Sequence, residues 1–259
     1  MDVQKIEKML KSYTYEQPKI LQGKSICEFD KTNKAVQITN FYESDFSKID
    51  TCRGLRTTLF FELKKEFPEY NIYRVTGTEP KFFFKSDNFR ATHSFLLMSK
   101  SPMIGDTEII GEMDVERLKF IKYFNPLLID PSYKIIKPYA ESNYDVESVV
   151  APEIEETLNL TKNLQVVFNK KIKKDKKIKT KLRPLLIQDN HLISLAMELD
   201  KQNELNLKIG IQQEGEMYCS YDPTKIINDN YINENIKKYA RAIKNIPCLN
   251  TTHAVRCYK

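Results

Sequence analysis

The chain has 259 residues, 41% of them hydrophobic and 29% charged, with a net charge of +6. That composition supports a real core at this length and is not that of a disordered chain. No run approaches the ~20 apolar residues of a membrane span, the first residues carry no apolar signal-peptide core, and neither G-x-G-x-x-G nor G-x-x-x-x-G-K occurs, so no familiar phosphate loop is present.

Val3, Ile6, Met9 and Leu10 predict a short amphipathic helix at the start of the chain. Residues 25–29 and 35–38 alternate in polarity around a polar turn, the pattern of a β-hairpin. The stretch from Asp50 to Phe67 then reads as a helix. Leu55, Leu59, Leu63 and Phe67 recur every fourth residue, Asp50 or Thr51 can cap the start, and Pro68 stops the run. Cys52 falls in the first turn. The unpaired amides and dipole there favour a negative charge, which lowers a thiol pKa.

A thiolate nucleophile needs a base, and the chain offers three histidines, His93, His191 and His253. His93 opens an apolar run, Phe95-Leu96-Leu97-Met98, that reads as a buried strand. Before it come a strand over residues 70–77 and an aromatic stretch, Phe82-Phe83-Phe84, read as core packing or a cleft wall. After it come a turn near 102–105 and a short helix through Val115 to Ile121. A second apolar strand then runs through Leu127, Leu128 and Ile129 to Asp130 and on to Pro138. Nucleophile, base and orienting acid therefore stand in chain order as Cys52, His93 and Asp130. Residues 99–122 read as an insertion between the last two strands, with Asp106 or Asp114 as alternative acids. Gln37 and Asn40 precede the cysteine and read as surface polar residues, although a side-chain amide can help hold an oxyanion.

This order resembles the transglutaminase-like superfamily of thiol enzymes, which includes transglutaminases, some peptidases and, more distantly, arylamine N-acetyltransferases. Ile129-Asp130-Pro131 is similar to that family's acid strand, and His93 with Phe95-Leu96-Leu97 to its histidine strand. The resemblance spans roughly residues 50–135. The tryptophans that many transglutaminases carry near these positions are missing, as the chain has none. It implies an α+β fold of the papain and transglutaminase type, with the nucleophile helix packed on an antiparallel sheet. It also implies acyl transfer or amide hydrolysis through Cys52, His93 and Asp130. The acyl donor would be a peptide, a protein or a small molecule, and no cofactor or metal is implied.

From Ala140 to Asn159 the composition turns acidic, with a helix start expected at Pro152, and this passage is read as a boundary between a catalytic core over 1–140 and a second α+β lobe over 141–259. Lysines dominate from Lys170 to Arg183, between apolar runs at 164–168 and 185–187. That block reads as a solvated loop or hairpin tip. It is also the basis of an alternative function, binding of nucleic acid or an acidic partner, although no aromatic residue interleaves it. An apolar run follows at 191–199, then a hairpin is expected from strands at 205–211 and 216–221, with a helix from Ile232 to Ile243. The five cysteines, at 27, 52, 219, 248 and 257, form no C-x-x-C pair, which points to reduced thiols in a cytoplasmic protein. Cys248 and His253 do not make a metal site by themselves.

Overall fold

A computed structural model describes residues 2–23, 25–32, 34–40, 47–78, 92–102, 123–149, 163–167, 179–188, 191–213 and 219–251. In chain order the first elements are α1 (Val3–Leu10), β1 (Thr14–Tyr15), α2 (Pro18–Leu21), β2 (Ser25–Asp30), β3 (Ala35–Asn40), β4 (Ile49–Asp50), α3 (Cys52–Glu66), β5 (Asn71–Thr78) and β6 (Thr92–Ser99). Next come β7 (Leu127–Asp130), β8 (Ile135–Pro138), β9 (Asp145–Val149), β10 (Asn163–Val167), β11 (Lys179–Gln188), β12 (His191–Leu199), β13 (Leu205–Gln213) and β14 (Cys219–Tyr221). The chain ends with α4 (Pro223–Asn228), α5 (Glu234–Lys244) and β15 (Cys248–Thr251). The class is α+β, with helices beside largely antiparallel sheets.

The chain divides into two compact units, Met1–Glu16 with Ser44–Asn159, and Gln17–Glu43 with Leu160–Lys259. This differs from a single break near residue 140. The β2–β3 hairpin belongs with the C-terminal half, because β10 pairs with β3 and β15 pairs with β2. Hairpin register is local, but which sheet edge a hairpin joins depends on distant strands.

The first unit is built on a five-stranded antiparallel sheet in the order β8-β7-β6-β5-β9. Helix α3 lies against β5 and β6. Its four-residue apolar repeat explains why: Leu55, Leu59 and Leu63 are completely buried, each contributing about 1.5–3 kcal/mol by leaving water. Strand β6 is buried on both faces. Phe95 and Leu97 cluster with Val75, Leu128, Tyr139, Tyr144 and Val146, while Leu96 and Met98, which alternate with them, are buried too.

Two local expectations change in this unit. The strand through Asp130 does not run on to Pro138. It ends at Asp130 and reverses, so that β8 pairs antiparallel to β7 with Asp130 opposite Ile135. Lys134 adopts a left-handed backbone in the turn, and the residues after Asp130 have no apolar alternation to extend the strand. At the start of α3, Thr51 occupies the N-cap position but makes no side-chain cap bond. Asp50 accepts a hydrogen bond from the Thr51 amide instead, at 2.7 Å. The expected helix over 115–121, the aromatic stretch 82–84, and Asp106 and Asp114 lie outside the described residues.

The second unit holds two four-stranded sheets, β10-β3-β2-β15 and β11-β12-β13-β14. Its core gathers Cys27, Phe29 and Val36 with Leu195, Met197, Ile209, Tyr239 and Ile243. The runs at 164–168 and 185–187 do not form the two arms of a hairpin. β10 pairs with β3, whereas β11 pairs with β12. The stretch 168–178, which carries most of the lysine block, lies outside the described residues, as does the helix start expected at Pro152. Asp222-Pro223, the second Asp-Pro pair, opens α4, where Asp222 accepts from the Thr224 amide as an ordinary helix cap.

Candidate active site

Cys52 is the first residue of α3 and remains partly exposed. The helix can begin there because Asp50 folds back over it. A Cβ on Gly54 would stand 2.0 Å from Asp50 Oδ2, so only glycine leaves room for that carboxylate. Thr58 Oγ1 donates to the Gly54 carbonyl one turn on, at 3.0 Å.

His93 sits near the start of β6, in register with Gly77 of β5. Asp130 closes β7, the neighbour of β6 on the other side. Although 37 residues apart in sequence, the two side chains meet: His93 Nε2 lies 2.7 Å from Asp130 Oδ2. Both are buried, Asp130 completely. The same imidazole interacts with the Cys52 thiol, each moving the other's titration. With Nε2 engaged by the carboxylate, Nδ1 is the nitrogen left for Cys52.

The electrostatics follow from these contacts. Burial alone pushes the Cys52 thiol up. The hydrogen bond to His93 and its positive charge outweigh that, helped by the Ser94 amide N–H and the nearby Arg56 guanidinium, and the thiol ends below its ordinary value. Burial pulls His93 down, but the Asp130 charge and hydrogen bond, together with the Cys52 sulfur, carry it well above the ordinary imidazole value. The two shifts have the signs of a thiolate–imidazolium pair held together near neutral pH.

Asp130 has two tasks, one for each oxygen. Oδ1 accepts from the backbone N–H of Ser132 at 2.8 Å and of Tyr133 at 3.4 Å, forming the turn between β7 and β8. Oδ2 accepts from His93 and from the Tyr144 hydroxyl, the latter at 2.6 Å. The carboxylate that builds the turn is therefore fixed in the orientation that faces the imidazole.

Tyr144 did not stand out in the sequence. It immediately precedes β9, which crosses to the far edge of the sheet and pairs with β5. Gly77 permits that approach: a Cβ there would fall 1.8 Å from the Asp145 carbonyl oxygen. Phe95, Tyr133 and Tyr144 place their rings 6.2, 5.4 and 6.2 Å from the imidazole, surrounding it with aromatic carbon.

Arg56, one turn along α3 from Cys52, is the other residue that sequence reading passed over. It is almost fully buried and donates to the Val75 carbonyl at 3.1 Å. Burial lowers its pKa to about 9 despite the opposing pull of Cys52. No periodicity marks it, because it interrupts the apolar face of the helix with a charge.

Of the other residues considered, His191 opens β12 in the second unit, and Gln37 and Asn40 lie in β3 of that unit. His253 lies outside the described residues. Among the described residues there is no group of three or more His, Cys, Asp or Glu side chains placed to hold a metal ion. Among them, too, no helix is long and apolar enough to cross a membrane. The chain matches no family model, no curated protein and no solved structure in comparisons with known proteins.

Proposed function

We propose that this chain is a cysteine-nucleophile enzyme that forms an acyl-enzyme on Cys52, with His93 as proton carrier and Asp130 as the group that orients it. The observation that carries this reading is the buried His93–Asp130 hydrogen bond at 2.7 Å, with the Cys52 thiol lowered by its interaction with the same imidazole. A structural cysteine has no need of a base, and a structural histidine has no need of a buried carboxylate on one nitrogen and a thiol on the other.

In the proposed reaction the Cys52 thiolate attacks the carbonyl carbon of an amide or thioester. His93, as imidazolium, gives its proton to the leaving group, and the acyl group remains on sulfur. Water or an amine then attacks the thioester. Neutral His93 takes the proton of that nucleophile, and Cys52 leaves as thiolate. Asp130 keeps the Nε2 proton in place and stabilises the charged imidazole throughout. The backbone N–H of Cys52, at the start of α3, supplies a donor for the oxyanion. A cysteine at a helix start, with histidine and aspartate on two adjacent antiparallel strands, is also the arrangement of transglutaminase-like thiol enzymes. The papain and transglutaminase type is thus the fold reading that goes with this function.

The test is acylation by p-nitrophenyl acetate. A burst of about one equivalent of p-nitrophenol, with the acetyl group mapped to Cys52 by peptide mass spectrometry, is expected from the parent and not from Cys52→Ser. A burst that survives the serine substitution overturns the proposal. Faster breakdown of the acyl-enzyme on adding a primary amine assigns transfer; breakdown that ignores the amine assigns hydrolysis.

A further inference from the structure

The second unit carries a pair of thiols that plays no part in the proposed acyl chemistry. β15 is a four-residue edge strand that runs parallel to β2, and the pairing puts Cys248 in register with Cys27. The two sulfurs are 3.4 Å apart, although 221 residues separate them in sequence. Both are free thiols in this structure. Side chains in register on adjacent parallel strands point to the same face, and neighbouring strands stand about 4.8 Å apart, inside the Cα separations a disulfide spans.

The two thiols differ in access. Cys27 is completely buried among Phe29, Val36 and Ile243, whereas Cys248 is exposed. We propose that Cys248 and Cys27 form a thiol–disulfide exchange site for low-molecular-weight disulfides, in which Cys248 is the attacking thiol and Cys27 the resolving thiol. The Cys248 thiolate attacks one sulfur of the external disulfide and expels its partner as a thiolate. The resulting mixed disulfide stands against Cys27, whose sulfur attacks the Cys248 sulfur, loses its proton and releases the second small thiol. Two protein thiols are oxidised to one disulfide, and the external disulfide is reduced to two thiols. The assignment of roles follows from burial, since an external disulfide can meet only the exposed sulfur. It also agrees with acidity: contact with Cys27 holds the Cys248 thiol below its ordinary value, whereas contact with Cys248, and then burial, push Cys27 up. The product is a covalent clamp that ties the edge strand β15 to the core strand beside it.

Trypsin makes the site readable, because the sequence places Cys27 in peptide 25–31, Cys248 in 245–256 and Cys257 in a separate peptide, 257–259. The native protein is incubated with oxidised glutathione, blocked with N-ethylmaleimide, digested without reduction and analysed by mass spectrometry. The expected product is 25–31 linked to 245–256, reversed by dithiothreitol. In Cys27→Ala, glutathione should remain on Cys248. In Cys248→Ala, which alters only an exposed edge residue, Cys27 should stay unmodified. Glutathione that persists on Cys248 in the parent, linkage of Cys248 to any other cysteine, or no reaction at all overturns the proposal. None of these readouts involves Cys52.

Discussion

Replacing Asp130 with asparagine separates the two tasks of that side chain. The amide oxygen can keep the hydrogen bonds from the Ser132 and Tyr133 amides, so the turn between β7 and β8 survives. The NH2 group must then stand where Oδ2 stood, facing His93 Nε2 at 2.7 Å and the Tyr144 hydroxyl at 2.6 Å. The hydroxyl can rotate to accept. The imidazole can accept only by moving its proton to Nδ1, the nitrogen that serves Cys52, and it loses its buried counter-charge at the same time. Removing one member of a buried charged pair costs about 3–5 kcal/mol, and one pKa unit corresponds to about 1.36 kcal/mol. The imidazolium that holds the Cys52 thiolate is weakened by that loss, so the Cys52 titration is expected to rise and its thiolate content at neutral pH to fall. The assay is the rate of carboxamidomethylation of Cys52 by iodoacetamide from acid to alkaline pH, read by peptide mass spectrometry with exposed Cys219 as internal comparison. The parent should react well below the pH range of an ordinary thiol, and the variant only near or above it, while circular dichroism shows the same fold. Superimposable pH–rate curves for parent and variant would refute the relay from Asp130 through His93 to Cys52.

Tyr144→Phe removes one of the two donors to Asp130 Oδ2 and leaves the ring against Phe95 and His93, so acylation of Cys52 should slow by about 5- to 30-fold, from a hydrogen bond of about 1–2 kcal/mol; a loss as large as that of Asp130→Asn would mean the hydroxyl has a more direct role. Gly54→Ala forces a methyl group against the Asp50 carboxylate and should destabilise the first unit by about 1–3 kcal/mol in urea melts, whereas unchanged stability would mean Asp50 can leave the α3 start freely. The pH dependence of stability has a definite sign. His93, raised in the fold, contributes fully below about pH 6.5 and loses that contribution as pH rises through its folded value; Cys52, lowered in the fold, contributes fully above about pH 8.5 and loses its share as pH falls through its folded value. Cys52→Ser leaves His93 raised by Asp130, so the stability difference between the parent and Cys52→Ser, measured by thermal melts, should rise with pH through the folded Cys52 titration and level off above about pH 8.5; a difference that falls as pH rises contradicts a lowered Cys52.

The amino-acid sequence by itself determined the local elements and the chemistry they could carry. The four-residue repeat from Leu55 to Phe67 specifies a helix with one buried face, and it puts Cys52 in its first turn. The apolar runs at 95–98 and 127–129 specify two buried strands, with His93 and Asp130 at their ends, because the periodicity of a side chain's surroundings is written in neighbouring residues. The sequence left three acids open, and only the pairing of β6 with β7 brought Asp130 to the imidazole. Tyr144 and Arg56 join the site through contacts that no local pattern encodes: one arrives because β9 crosses the sheet to pair with β5, the other because a buried charge finds the Val75 carbonyl. The same holds in the second unit, where Cys27 and Cys248 meet only because β15 chooses the free edge of β2. Strand partners far apart in sequence are selected by which apolar faces and hydrogen-bonding edges remain uncovered when the core closes, and that is a property of the whole chain and not of any stretch of it.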